Sequence, residues 1–212
     1  VERNLDAFKT VIVNDKIDLN IIRGTSYKVE VTAGKNIIGN ISTITSDHVL
    51  EISNNNKCNF VRGYKKRVVV TITVPVIRKI VNNGVGTVKC TNDLIQDSIF
   101  VRAENSGDIH VSGQFKLLQT SSHGNGDIYL NGVCDKLYVY MFGTNFLKGE
   151  NLKVNNYTFI ETISLGDCTI KAPQGGILDY NLWRSGNIYY SGDPAIINDL
   201  SDGSGKGKLI KQ

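Results

Sequence analysis

The sequence predicts an all-β fold wound as a single-stranded β-solenoid, and three observations predict it. A phrase recurs: ENSGDIHVSG at 104–113 and HGNGDIYLNG at 123–132, 19 residues apart from Gly107 to Gly126. Weaker copies continue it as VGTVKCTN (85–92), FGTNFLKG (142–149), LGDCTIKA (165–172) and SGNIYYSG (185–192). Their glycines, at 86, 107, 126, 143, 166 and 186, are separated by 21, 19, 17, 23 and 20 residues. Within the copies apolar residues alternate: Val88 with Cys90, Ile109 with Val111, Ile128 with Leu130, Cys168 with Ile170, Ile188 with Tyr190. Alternation marks a strand with one buried face. A fixed period near twenty marks units that bury that face by stacking.

Each element follows from these rules. The glycine that opens a copy suits a corner needing positive φ, and the Asp or Asn after it suits a hydrogen bond to local backbone. A second segment completes each coil: Ile99–Ala103, Lys116–Leu118, Leu137–Val139, Tyr157–Phe159 and Leu178–Tyr180. This segment is less regular than the first, which leaves its inward face unassigned. Residues 78–212 have room for six or seven coils. Residues 1–77 lack the short period but read as longer strands: Phe8–Val13, Ile17–Ile22, Lys28–Thr32, Ile38–Thr45, Val49–Ser53 and Arg67–Pro75. They form wider coils of the same solenoid or a cap over its first open edge, in one continuous structural domain.

Composition agrees. The chain has 21 Gly but one Met and one Trp, a balance favouring short strands and turns over helices. No apolar run reaches the roughly 18–20 residues of a membrane-spanning helix, and no leader is expected within this chain because its start lacks a charged end and an apolar core. The net charge is only +4, with basic residues clustered at Lys65-Lys66-Arg67 and at Lys206, Lys208 and Lys211. That argues against a nucleic-acid partner, which favours a basic stripe with interleaved aromatics. Cys58, Cys90, Cys134 and Cys168 show no metal-ligand spacing. They are out of phase in the repeat, too far apart along the strands for most disulfides. Free thiols are expected, with Cys90 and Cys168 buried.

The order of segments carries a resemblance. RNLDAF (3–8), IDLNIIRG (17–24), VEVTAGKN (29–36), ISTITSDHVLEI (41–52), VVVTITVP (68–75), the GDI copies and NIYYSGDP (187–194) are together similar to the head GIN domain family of auto-transporter adhesins, found in Bacteroidetes-type bacteria. The resemblance implies a right-handed, single-stranded β-solenoid in an exported protein of the periplasm, outer-membrane surface or extracellular space. It implies no active site. The 142–150 stretch departs from the family's Gly-Asp signature.

Stacked coils create outward rows, where a solenoid's function is expected. One step after the glycines stand Asp108, Asp127, Thr144, Asp167 and Asn187; three steps after stand His110, Tyr129, Phe146, Thr169 and Tyr189. Asp108, Asp127, Asp167, His110, Tyr129, Phe146 and Tyr189 are the candidate ligand-binding residues. Rings offer apolar faces to a glycan and carboxylates accept its hydroxyls; the same strip suits a contact between subunits. Against this stands the plainer reading, in which Asp and Asn serve the corners and the rings pack against cross-strand neighbours. A calcium site on Asp108 and Asp127 lacks the nonapeptide pattern, so no metal or cofactor is expected. Three separated histidines, no G-x-S-x-G and no cysteine nucleophile leave catalysis without a constellation. The expected function is therefore a noncatalytic, adhesin-like surface module binding a glycan or a cell-surface protein. The alternatives are a pectinase-like carbohydrate-active enzyme and a structural, homo-oligomerising envelope protein.

Overall fold

The computed structural model describes residues 1–3, 5–56 and 67–212; Cys58, Lys65 and Lys66 lie outside them. The regular structure of the described residues is almost all strand: β1 (Glu2–Arg3), β2 (Thr10–Val13), β3 (Ile17–Arg23), β4 (Lys28–Thr32), β5 (Ile41–Ser46), β6 (Val49–Asn54), β7 (Val68–Val74), β8 (Lys79–Asn82), β9 (Val88–Cys90), β10 (Leu94–Ala103), β11 (Ile109–Ser122), β12 (Ile128–Gly143), β13 (Leu147–Ser164), β14 (Cys168–Lys171), β15 (Ile177–Leu182), β16 (Ile188–Ser191), β17 (Ile196–Asp199) and β18 (Leu209–Lys211). The strand expected to begin at Ile38 begins at Ile41, because Ile38–Asn40 form one turn of 3-10 helix.

The protein is a β-solenoid with two parallel walls. Wall A runs β6, β2, β8, β10, the C-terminal halves of β11, β12 and β13, then β15 and β17. Wall B runs β7, β3, β9, the N-terminal halves of β11, β12 and β13, then β14, β16 and β18. Strands β11 to β13 cross from wall B to wall A without interruption, so those coils lack the second corner.

The interior is built by alternation. Ile109, Ile128 and Ile188 are 0%, 1% and 0% exposed and lie in file with Val88, Leu147 and Cys168. On wall A the inward residues are Ile99, Val101 and Ala103, then Leu118, Leu137, Val139, Ile160, Leu178 and Tyr180. Burying each Leu, Ile or Val contributes about 1.5–3 kcal/mol, and adjacent coils sharing the interior make the stack cooperative. Cys90, Cys134 and Cys168 are free and buried. Burial pushes the thiols of Cys90 and Cys134 up to about 12 and that of Cys168 higher still.

The first coil in the chain is not the first in space. β2 and β3 are sandwiched between β6 and β7 on one side and β8 and β9 on the other. Beyond the outermost coil the chain direction reverses: β5 pairs antiparallel with β6, β4 with β7, and β1 with β4. These strands occupy an edge that would otherwise present unpaired backbone groups.

Candidate functional site

The corners that open wall B form one column, with a chemistry different from that expected. None of Gly86, Gly107, Gly126, Gly166 and Gly186 has positive φ. They are glycine because the coils touch there: a Cβ on Gly126 would lie 2.3 Å from the Gly107 carbonyl oxygen, and one on Gly186 2.2 Å from that of Gly166. The need is close backbone approach, not left-handed conformation.

The degraded copy belongs two residues later than its glycine suggests. Ile128 pairs with Leu147 and Tyr129 with Lys148, so Asn145, not Gly143, occupies the corner column. The steps of 17 and 23 become 19 and 21 (Ile128 to Leu147, Leu147 to Cys168). Two irregularities in β13, opposite Tyr129–Asn131 and Cys134–Lys136, absorb the longer coil. Asn145 is fully buried: its Nδ2 donates to the Gly124 carbonyl at 2.9 Å and its Oδ1 accepts from Ser122 Oγ at 2.6 Å. A polar side chain at this corner therefore substitutes for the direct glycine contact.

This shift re-sorts the candidate residues. The acidic row reads Thr87, Asp108, Asp127, Phe146, Asp167, Asn187 and Lys208; the row beside it reads Lys89, His110, Tyr129, Lys148, Thr169, Tyr189 and Ile210. Phe146, 42% exposed, stands among the carboxylates rather than the rings, and Thr144 joins neither row. The carboxylates bond forward to the next coil instead of to local backbone. Asp108 Oδ1 accepts the N–H of Asp127 (2.9 Å), Asp127 Oδ1 that of Phe146 (2.9 Å), and Asp167 Oδ1 that of Asn187 (2.7 Å). Asn187 Oδ1 accepts from Lys208 N (3.0 Å), and Asp18 Oδ1 from Thr87 N (3.0 Å). These bonds tie the coils edge to edge.

His110 stacks on Tyr129, ring centroids 4.2 Å apart and nearly parallel. Lys148 reaches across Tyr129, its Nζ 4.8 Å from the ring centroid, 3.2 Å from the hydroxyl and 3.6 Å from Asp127 Oδ2. Tyr189 lies apart, beyond Thr169, with its hydroxyl 3.4 Å from Asn187 Nδ2. The structure thus gathers Asp108, Asp127, His110 and Tyr129 and separates Asp167 and Tyr189 from them. The other histidines are distant: His48 sits at a positive-φ turn against the Ala7 carbonyl, and His123 stacks on Phe142.

The larger aromatic surface is on wall A. In 137–142, Leu137, Val139 and Met141 point into the core at 0% exposure, which turns Tyr138, Tyr140 and Phe142 outward. On the next coil Tyr157 and Phe159 also face out. Tyr138 lies 5.5 Å from Tyr157 and 6.2 Å from Phe159, and Tyr140 lies 5.8 Å from Phe159, all tilted by 43–54°. Asp179 follows Phe159 in its row, and Glu161 follows Tyr140. Tyr157 Oη donates to Asp179 Oδ2 at 2.8 Å, and Asn198 Nδ2 donates to Asp179 Oδ1 at 2.8 Å. Burial and then Asp179 hold the Tyr157 phenol protonated far above its usual range. The signal for this surface was the run Leu137–Phe142, but with apolar residues on both faces its phase was set only by the stack.

The chain is thus a parallel solenoid that sets side chains in rows on two outer walls, with the larger aromatic surface on wall A. Residues 7–194 match the family described as "Putative auto-transporter adhesin, head GIN domain", and the chain belongs to that family. Among solved structures, a putative adhesin from Bacteroides fragilis has a TM-score of 0.86 at 23% identity, over 100% of this chain and 95% of that one. A putative adhesin from Parabacteroides distasonis has a TM-score of 0.78 at 16% identity, with the same coverage. A putative lipid binding protein from the same organism has a TM-score of 0.73 at 17% identity, again with that coverage. At these identities the likeness shows the fold. No functionally curated protein matches this sequence.

Proposed function

We propose that this chain is a noncatalytic interaction module of the bacterial envelope, engaging a glycan or protein surface chiefly through the aromatic outer face of wall A. The observation that carries this reading is the outward cluster of Tyr138, Tyr140, Tyr157 and Phe159 in mutual contact. A β-sheet backed by a dry core holds such rings rigidly, and rigid aromatics are what recognition surfaces enrich. Kinship with an adhesin family supports the envelope setting, whether periplasm, outer-membrane surface or exterior.

The wall B row is a secondary contact in this reading. Asp108, Asp127 and Asp167 each use an oxygen to join coils, which leaves His110, Tyr129, Phe146 and Tyr189 to offer outward faces. An enzymatic reading gains little from carboxylates committed to backbone, since glycoside cleavage needs a proton donor and a partner carboxylate free to face a substrate.

The test is adhesion of the labelled protein to glycoprotein-coated surfaces and to cells. Tyr138→Ala combined with Phe159→Ala reduces adhesion to background, whereas Lys171→Ala on wall B leaves it intact. Adhesion that ignores the wall A pair sinks the proposal, as does release of cleaved sugar products from the coated surface.

A further inference from the structure

We infer that the aromatic face of wall A takes a neutral, hydroxyl-rich polysaccharide, bound along the chain rather than at its end. This rests on the reading of wall A as the contact face and goes beyond it in naming the ligand's chemistry. The rings supply apolar faces for the C–H surfaces of sugars. The polar groups among them select the ligand. The hydroxyls of Tyr138 and Tyr140 and the carboxylate of Glu161 have no hydrogen-bond partner among the described residues. Carboxylate and phenol oxygens of this kind accept hydrogen bonds, and a ligand rich in hydroxyl donors satisfies them. Asp179 is a positioning residue, because its two oxygens are occupied by Tyr157 and Asn198.

Charge argues against anionic ligands. Glu161 and Asp179 lie within the face, while Lys136 stands at its margin in the row of Tyr157; phosphate or uronate groups laid across the rings meet carboxylates. Shape argues for a polymer's interior. From Tyr138 through Phe159 to Asp179 the row climbs two coils, roughly 10 Å at the spacing of paired strands, and it continues through Gln119 and Phe100 on one side and Asn198 on the other. A protein partner would more commonly find a pocket for an anchoring side chain, and this face is a single layer of tilted rings on a sheet.

The experiment is affinity gel electrophoresis of the full chain through dextran, galactomannan or polygalacturonate, with flotation on anionic phospholipid vesicles in parallel. A neutral polymer is expected to retard the protein, and Tyr140→Ala with Phe159→Ala to abolish the retardation. Glu161→Ala, at an outward position, removes the acceptor and weakens it about tenfold, the size of one charge-assisted hydrogen bond. Retardation by polygalacturonate equal to that by the neutral polymers overturns the inference, as does vesicle flotation lost in the same double variant. If no neutral polymer retards the protein while wall A variants still abolish adhesion, the ligand is a protein and this inference fails, with the proposed function intact. If adhesion also ignores wall A, both fail.

Discussion

Asp108 Oδ1 accepts the backbone N–H of Asp127 at 2.9 Å, so a side chain on one coil completes the hydrogen bonding of the same position on the next. Asp167 and Asn187 repeat the relationship at 2.7 Å. Asp108→Ala or Asp167→Ala leaves a backbone donor unmet and should cost about 1–2 kcal/mol, whereas Asn, which keeps the acceptor, should cost less than half of that. Urea unfolding of the four variants measures the difference. Equal losses for Ala and Asn would mean that the carboxylate acts through its charge instead.

The corner column makes an all-or-none prediction. Gly126→Ala places a Cβ against the Gly107 carbonyl, and backbone cannot yield as a flexible side chain can. The variant should lose about 3 kcal/mol or more, or fail to accumulate as folded protein. Gly39→Ala, with open space around its Cβ, should stay within about 0.5 kcal/mol of the parent. Thermal denaturation followed by circular dichroism reads both.

Asn145 occupies that column with its amide instead of a glycine. Asn145→Ala strands Ser122 Oγ and takes the amide donor away from the Gly124 and Phe142 carbonyls in a buried corner, for an expected loss of about 2–3 kcal/mol. Ser122→Ala in the Asn145→Ala background should then cost less than Ser122→Ala alone, because the partner is already gone. Additive losses in this cycle would refute the coupling.

His110 gives the solenoid a pH dependence of known sign. Its imidazole titrates below the ordinary 6.5; burial is the main cause, opposed by Asp108 and aided by Lys89 and Lys148. The unfolded chain therefore takes up the proton more readily than the folded one. The stability this contributes is present above about pH 6.5 and is lost as pH falls through the lower folded value. Melting temperature should drop between about pH 7 and pH 5, and His110→Gln should remove that part of the slope.

Native protein exposed to a thiol reagent should show no labelling at Cys90, Cys134 or Cys168 by peptide mass mapping. These thiols are buried and held in the unreactive protonated form. Labelling without denaturant at any of the three would place that coil in an open state.

How much of this was legible in the residues differs from place to place. The solenoid, its period, and the inward direction of Ile109, Ile128, Cys168 and Ile188 were all written locally, because a strand's two faces alternate wherever it lies. Only the stack fixed the phase of 142–149, since a glycine at 143 and an asparagine at 145 compete for the corner until Leu147 lies beside Ile128. The same holds for the outward turn of Tyr138 and Tyr140, whose neighbours are equally apolar, for that of Phe159, which faces out while Thr158 and Ile160 are buried, and for the insertion of β2 and β3 between later strands. Alternation is a property of one strand, but phase, facing and order in a solenoid belong to hydrogen bonds between residues about twenty apart or further, and those exist only once the coils have closed.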